Sequence, residues 1–89
     1  MLNATYTNQF QRDLKRVKKR NKDLQKLKLV VRMLIAEEKL PQKYRNHSLI
    51  GSYAGKMECH LEPDWLLIYM LDDGCIYFER TGSHSDLFN

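Results

Sequence analysis

Residues 53–82 read YAGKMECHLEPDWLLIYMLDDGCIYFERTG, and the patterning of this stretch decides the fold. Over residues 53–62, Tyr53, Met57, Cys59 and Leu61 fall on one side of an alternation, and Lys56, Glu58, His60 and Glu62 on the other. Period two with one apolar side predicts a strand that has a core face and a polar face bearing His60. Pro63 and Asp64 make a turn, and residues 65–71 (WLLIYML) are apolar on both faces, as a central strand should be. Asp72, Asp73 and Gly74 form a hairpin turn that returns residues 75–81 as the next antiparallel strand. Gly82 closes it, and residues 83–88 are a short terminal segment too polar for a strand.

Working back toward the start, the periodicity changes from two to 3.6. Residues 39–52 carry no clean period, with Pro41 blocking helix continuation and Gly51-Ser52 marking a turn, so His47 is expected in a loop. A helix is predicted from about Asp23 to Glu38, with Leu24, Leu27, Val30, Val31, Leu34 and Ile35 at i, i+3, i+4 spacing. Before it, Thr7 offers an N-cap to a helix that carries Phe10, Leu14 and Val17 on one face and ends near Arg20 and Asn21. Residues 2–6 (LNATY) are β-prone. The predicted order is β-α-α-β-β-β: an α+β fold with an N-terminal strand and a helical hairpin packed on a twisted antiparallel sheet.

With 89 residues the chain makes one domain, 1–89, and leaves no room for a separate cofactor domain. Its 43% hydrophobic and 29% charged residues are those of a folded globule. No apolar run reaches the length of a membrane span, and residues 1–10 do not have the form of an export signal, which points to the cytoplasm. Two cysteines, Cys59 and Cys75, could pair, but without an export signal they read as two buried thiols, and no set of residues has the spacing of a four-ligand zinc site.

The formal charge of +4 hides an asymmetry. Residues 1–45 hold 13 Lys/Arg against four acids, +9, and residues 46–89 hold two against seven, −5. The first helix alone presents Arg12, Lys15, Arg16, Lys18, Lys19 and Arg20, a surface suited to an RNA backbone. A pair of well-solvated helices would look the same, and charge alone does not choose between them.

The chemistry-bearing residues sit in the second half. His47, His60 and His84 lie in three segments, Asp64 follows His60 across a tight turn, and Arg80 interrupts an otherwise apolar strand. Cleavage of RNA through its own 2′-hydroxyl needs a base for that hydroxyl, a cation for the charged phosphorane and an acid for the leaving 5′-oxygen; histidine, aspartate and arginine supply these without a metal or cofactor. The plainer readings are a surface histidine and a turn-forming aspartate. Trp65 and Phe88 are either core residues or platforms for bases, the core reading being the stronger for Trp65. Arg80 is harder to dismiss, because a charge there must find an anion or an open cleft.

Four runs carry a resemblance: KRNKDLQKLK (19–28), YRNHSLIGSYAG (44–55), HLEPDWLLIY (60–69) and FERTGSHSDLF (78–88). The combination HxxPDWxLIY followed by RTGSHxxLF is specific, and nearly the whole chain resembles the YafQ branch of the RelE/ParE toxin superfamily. The resemblance implies a RelE-like microbial RNase fold and a ribosome-dependent mRNA endoribonuclease (mRNA interferase) that cuts the A-site codon by 2′-hydroxyl attack and so inhibits translation. By position it implies mRNA-binding and acid–base roles for His47, His60, Asp64 and His84, phosphate contact by Arg80 and orientation of the mRNA by Phe88, with the role of Trp65 open. The implied partners are a cognate antitoxin, the 70S ribosome with its ribosomal RNA, mRNA, and operator DNA only through the antitoxin. Two other functions share parts of the pattern. A ParE-like gyrase inhibitor has the fold but not this set of histidines, and a non-enzymatic RNA- or antitoxin-binding module would leave them without a task.

Overall fold

The computed structural model describes residues 1–88. Its elements are β1 (Asn3–Tyr6), α1 (Asn8–Lys19), α2 (Leu24–Ile35), β2 (His47–Ser48), β3 (Met57–Glu62), β4 (Trp65–Asp72), β5 (Cys75–Gly82) and α3 (His84–Phe88), with 3-10 turns at Gln42–Tyr44 and Gly51–Tyr53. The five strands form one sheet in the order β1-β5-β4-β3-β2.

The α+β class and the helical hairpin are as expected, and four details differ. β1 pairs with β5 in parallel, Asn3 opposite Cys75 through Tyr6 opposite Phe78, so the sheet is mixed rather than wholly antiparallel. His47 lies in a two-residue strand opposite Glu58 rather than in a loop. α2 stops at Ile35, three residues early, because Glu37 takes a left-handed conformation (φ 60°) that ends the helical ladder. Residues 84–88 form a helix, started by a reciprocal cap in which the Ser83 N–H donates to Asp86 Oδ2 (2.9 Å) and the Asp86 N–H to Ser83 Oγ (3.1 Å).

The Thr7 cap read from sequence holds, and Asp23, expected as the first residue of the second helix, stands before it as its cap. Thr7 Oγ1 accepts the Phe10 N–H at 3.0 Å and Asp23 accepts the Gln25 N–H at 3.0 Å, each cap worth about 1 kcal/mol. The β4–β5 turn has Asp73 and Gly74 both at positive φ (45° and 78°), the two-residue geometry whose twist matches paired strands and which glycine accepts without strain.

Alternation along β4 gives the sheet two different faces. Trp65, Leu67 and Tyr69 join Phe10, Val17, Leu27, Val30 and Leu34 of the helices, together with Cys59, Leu61, Ile76 and Phe78, in the main core. Leu66 and Ile68 point the other way into a small cluster with Leu87 of α3 and Leu49. Glu58 and His60 of β3 and Arg80 of β5 lie opposite Ile68 and Leu66, so they belong to this second, open face.

Candidate active site

The open face gathers the polar residues of three strands. His47, Glu58, Ile68 and Arg80 stand in one cross-strand row, and His60, Leu66 and Gly82 in the next. Gly82 is followed by the turn into α3, and a Cβ at that position would stand 2.8 Å from Asp86 Oδ2, so glycine is what lets α3 fold back this closely. That turn sets His84 beside the β3–β4 turn.

Asp64 and His84 meet there. Asp64 Oδ1 accepts the backbone N–H of His84 at 2.9 Å and lies 2.6 Å from its Nδ1. These bonds, the backbone one first, hold the Asp64 carboxyl below the ordinary range, so it faces the ring as a carboxylate. An anion at Nδ1 fixes the proton on that nitrogen and leaves Nε2 turned outward to a reactant. Both side chains are exposed, 55% for His84 and 67% for Asp64.

The other two histidines share one acid. His47 Nε2 and His60 Nε2 each lie 3.3 Å from Glu58 Oε1, and Glu58 is buried. His47 Nδ1 also sits 2.6 Å from the Arg45 carbonyl, an acceptor only, so that nitrogen must donate. Ring centroids lie 6.1 Å apart for His47–His60 and 5.9 Å for His60–His84, and Phe88 continues the line at 6.4 Å from His84. Tyr53 and Phe88 meet edge to face, with ring centroids 5.3 Å apart. His47 Nε2, Glu58 Oε and His60 Nε2 are also close enough together, within 4.8 Å, for one metal ion.

Arg80 is on this face, but its inner edge is occupied. Its Nε–H donates to Asp13 Oδ2 at 2.8 Å, and that contact raises the guanidinium's already high pKa further. Arg16 and Arg20 are likewise tied down. Both pair with Asp86, at 3.1 and 2.6 Å, and the Arg20 contact above all depresses the Asp86 pKa strongly. Lys15 and Lys18 line a different surface, an apolar groove between the helices with Tyr6, Phe10, Leu24 and Val31, and Lys19 is exposed at the end of α1.

Of the two readings open for Trp65, core and RNA platform, the structure has the core one. It is 1% exposed, and its indole N–H donates to Thr81 Oγ1 at 3.0 Å, so neither ring face can receive a base. Tyr53, expected on the core side of β3, lies instead in the preceding 3-10 turn, half-exposed against Phe88. Glu58 and Asp13 were missed as site residues. Alternation had already set Glu58 beside His60, whereas Asp13, amid the basic residues of α1, carried no mark of burial.

Comparison with known proteins agrees with this architecture. Residues 2–89 match the family model described as the bacterial toxin of type II toxin–antitoxin system, YafQ. The chain is 46% identical over 84 residues to the mRNA interferase toxin YafQ of Escherichia coli K12, spanning 93% of this chain and 91% of that protein. The crystal structure of the E. coli DinJ–YafQ complex matches at TM-score 0.93 and 43% identity, with both chains fully covered. A crystal structure of a metal-bound toxin from Helicobacter pylori matches at TM-score 0.92 and 40% identity, covering 99% of this chain and all of that one. With the family model spanning almost every residue, this chain belongs to the YafQ family of bacterial toxins of type II toxin–antitoxin systems.

Proposed function

We infer that this chain is the toxin of a type II pair, an mRNA endoribonuclease that cuts the A-site codon of messages held on the 70S ribosome and so inhibits translation. The observation that carries the reading is the line His47–His60–His84–Phe88 across the open face, with the Asp64–His84 pair at one end and Arg80 on the same side. In the reaction, the 2′-oxygen attacks the neighbouring phosphorus while its proton passes to a base in the His47–Glu58–His60 cluster. The bond to the 5′-oxygen breaks as that oxygen takes a proton from His84 Nε2. Arg80 balances the charge gathering on the phosphoryl oxygens, and the products are a 2′,3′-cyclic phosphate and a 5′-hydroxyl. Phe88 and Tyr53 offer half-exposed rings on which a base can stack.

His47, Glu58 and His60 form a donor set that suits a zinc- or copper-like ion, two imidazoles and a carboxylate. Such an ion would add Lewis-acid charge beside the phosphate; the proton transfers above rest on the protein's own groups.

Dependence on the ribosome comes from shape. A shallow sheet face on a small protein has little with which to orient a flexible strand, and a message threaded through a ribosome arrives already held. Residues 1–89 act as one domain in the cytoplasm, where that substrate is found. The antitoxin partner fits the opposite side: the apolar groove between α1 and α2, about 590 Å³ and edged by Lys15, Lys18, Lys28 and Arg32, suits an amphipathic acidic segment. Operator DNA would be met only through that antitoxin. A gyrase-directed role would leave the line of histidines unused.

The test adds purified protein to translating ribosomes and maps the 5′ ends of the message. Cuts within the A-site codon, absent from naked mRNA at the same protein concentration, are expected. Equal cutting of naked mRNA would overturn ribosome dependence, and no cutting of either would overturn the nuclease reading.

A further inference from the structure

Asp13 is a fully buried carboxylate on α1, a helix otherwise rich in positive charge. Its burial is explained by the edge of the sheet. β1 pairs with β5 only as far as Tyr6 opposite Phe78, and the chain then turns away into α1. From there the outer edge of β5 has no strand beside it among the described residues, and its backbone groups need other partners. Thr7 Oγ1 donates to the Glu79 carbonyl at 3.0 Å, and the Thr81 N–H donates to Asp13 Oδ2 at 3.1 Å. Between them the β4–β5 register slips by one residue, Ile68 facing Arg80 and Tyr69 facing Phe78, a bulge that re-aims the side chain of Arg80.

Asp13 holds this arginine by two atoms of one edge, Nε at 2.8 Å and Nη2 at 3.3 Å, a two-point grip that fixes the plane of the guanidinium as well as its position. The same carboxylate accepts Arg16 Nη2 at 2.9 Å and Gln9 Nε2 at 3.2 Å. Arg16 passes on to Asp86 at 3.1 Å, and Asp86 caps α3, the helix that begins with His84. One buried group thus ties together the cation and the mounting of the acid. Satisfying a single strand-edge N–H does not need a charge, since a neutral side-chain oxygen accepts equally well, and burying an anion is costly. A charge becomes useful where a guanidinium has to be held in one orientation.

We propose that Asp13 is a positioning residue of the nuclease site, fixing Arg80 against the scissile phosphate from beneath the sheet edge. The proposal rests on the role given to Arg80 above. Asp13 touches no substrate; it acts through Arg80, so its effect should fall on kcat and vanish once Arg80 is gone.

The experiment is a double-mutant cycle of Asp13→Asn and Arg80→Ala in the ribosome-dependent cleavage assay, with kcat and KM separated and folding checked by melting. Arg80→Ala alone should cost about 10²-fold or more, as does loss of a transition-state charge donor elsewhere. Asp13→Asn should lower kcat by about 10- to 100-fold with little change in KM, the scale of a misplacement near 1 Å, and should cost almost nothing further in the Arg80→Ala background. Asp13→Glu keeps the charge and the folding but pushes the guanidinium outward by a methylene, so it too should be slow. Full activity of folded Asp13→Asn, independent losses in the cycle, or full activity of Asp13→Glu where Asp13→Asn does not fold, would each overturn the role of Asp13. Normal cleavage by Arg80→Ala would overturn the role of Arg80 itself, and that of Asp13 with it.

Discussion

Asp13 and Asp64 each hold a side chain of the proposed site, and they do so in opposite ways. Asp13 is wholly buried and accepts from two arginines, a glutamine and a backbone amide. Asp64 is 67% exposed and, among the described residues, accepts from His84 through its backbone and its ring. A buried anion that loses any partner is left with an uncompensated charge, so its surroundings are fixed. An exposed one is hydrated whichever way the ring moves and can remain beside a group that gains and loses a proton. At these two positions the arginine, which keeps its charge, is clamped from inside, and His84, the proton donor of the proposed reaction, is steadied from solvent.

The sharpest break in that comparison would come from the exposed pair. His84→Ala is expected to lose about 10²-fold or more in cleavage rate, the scale of a general acid, with no change in melting temperature. His84 is exposed and contributes little packing, so an inactive protein that had also unfolded would count against the account. Asp64→Asn should cost less, about 10-fold, because the amide still accepts a hydrogen bond from Nδ1 but no longer supports a charged ring. In a His84→Ala background it should cost nothing more, which the same rate assay reads.

For Trp65 and Asp86, away from the reacting groups, the expected effects are on stability. Trp65→Phe removes the indole bond to Thr81 and should destabilise by about 1 kcal/mol, seen in denaturant titration, with cleavage per folded molecule unchanged. For Asp86 the sign is set by its depressed pKa. The ion pairs with Arg20 and Arg16 stabilise the fold above about pH 4, where the carboxyl is ionised even in the unfolded chain, and that contribution is lost as pH falls toward the lower folded value. Asp86→Asn should therefore be less stable than the parent at pH 7, and the gap should narrow in acid; a gap that does not depend on pH would contradict this. The smallest effect expected is none. Toxin stripped with a transition-metal chelator, then assayed on intact ribosomes in magnesium buffer, should cut at the parent rate, whereas loss of activity restored by one transition ion would assign a working role to the His47–Glu58–His60 set.

How legible each region was in the sequence depends on the range of the interactions that build it. The hairpin at Asp72–Gly74, the strand of residues 65–71 and the stripe Phe10–Leu14–Val17 are local patterns, and they appear where local patterning puts them. The parallel pairing of β1 with β5 joins residues about 72 apart and depends on which strand ends free, something no window of sequence contains. Of the candidate residues, His60, Asp64 and His84 could be brought near one another because each flanks a turn that could be read. Asp13 could not, because its burial results from β1 stopping at Tyr6. The cap of α3, Ser83 with Asp86, was present as a motif, but five residues are too few for a period to declare a helix.

The central claim is that His84, steadied by Asp64, gives the proton to the departing oxygen. The measurement that reaches it most directly uses a message whose A-site codon carries sulfur in place of the bridging 5′-oxygen at the cut. A thiolate leaves without protonation, so a variant lacking the general acid should regain its rate on this substrate while variants lacking other functions should not. His84→Ala is expected to cleave the sulfur-containing message on the ribosome at close to the parent rate, with Arg80→Ala still slow. A His84→Ala protein equally impaired on both messages would contradict the assignment.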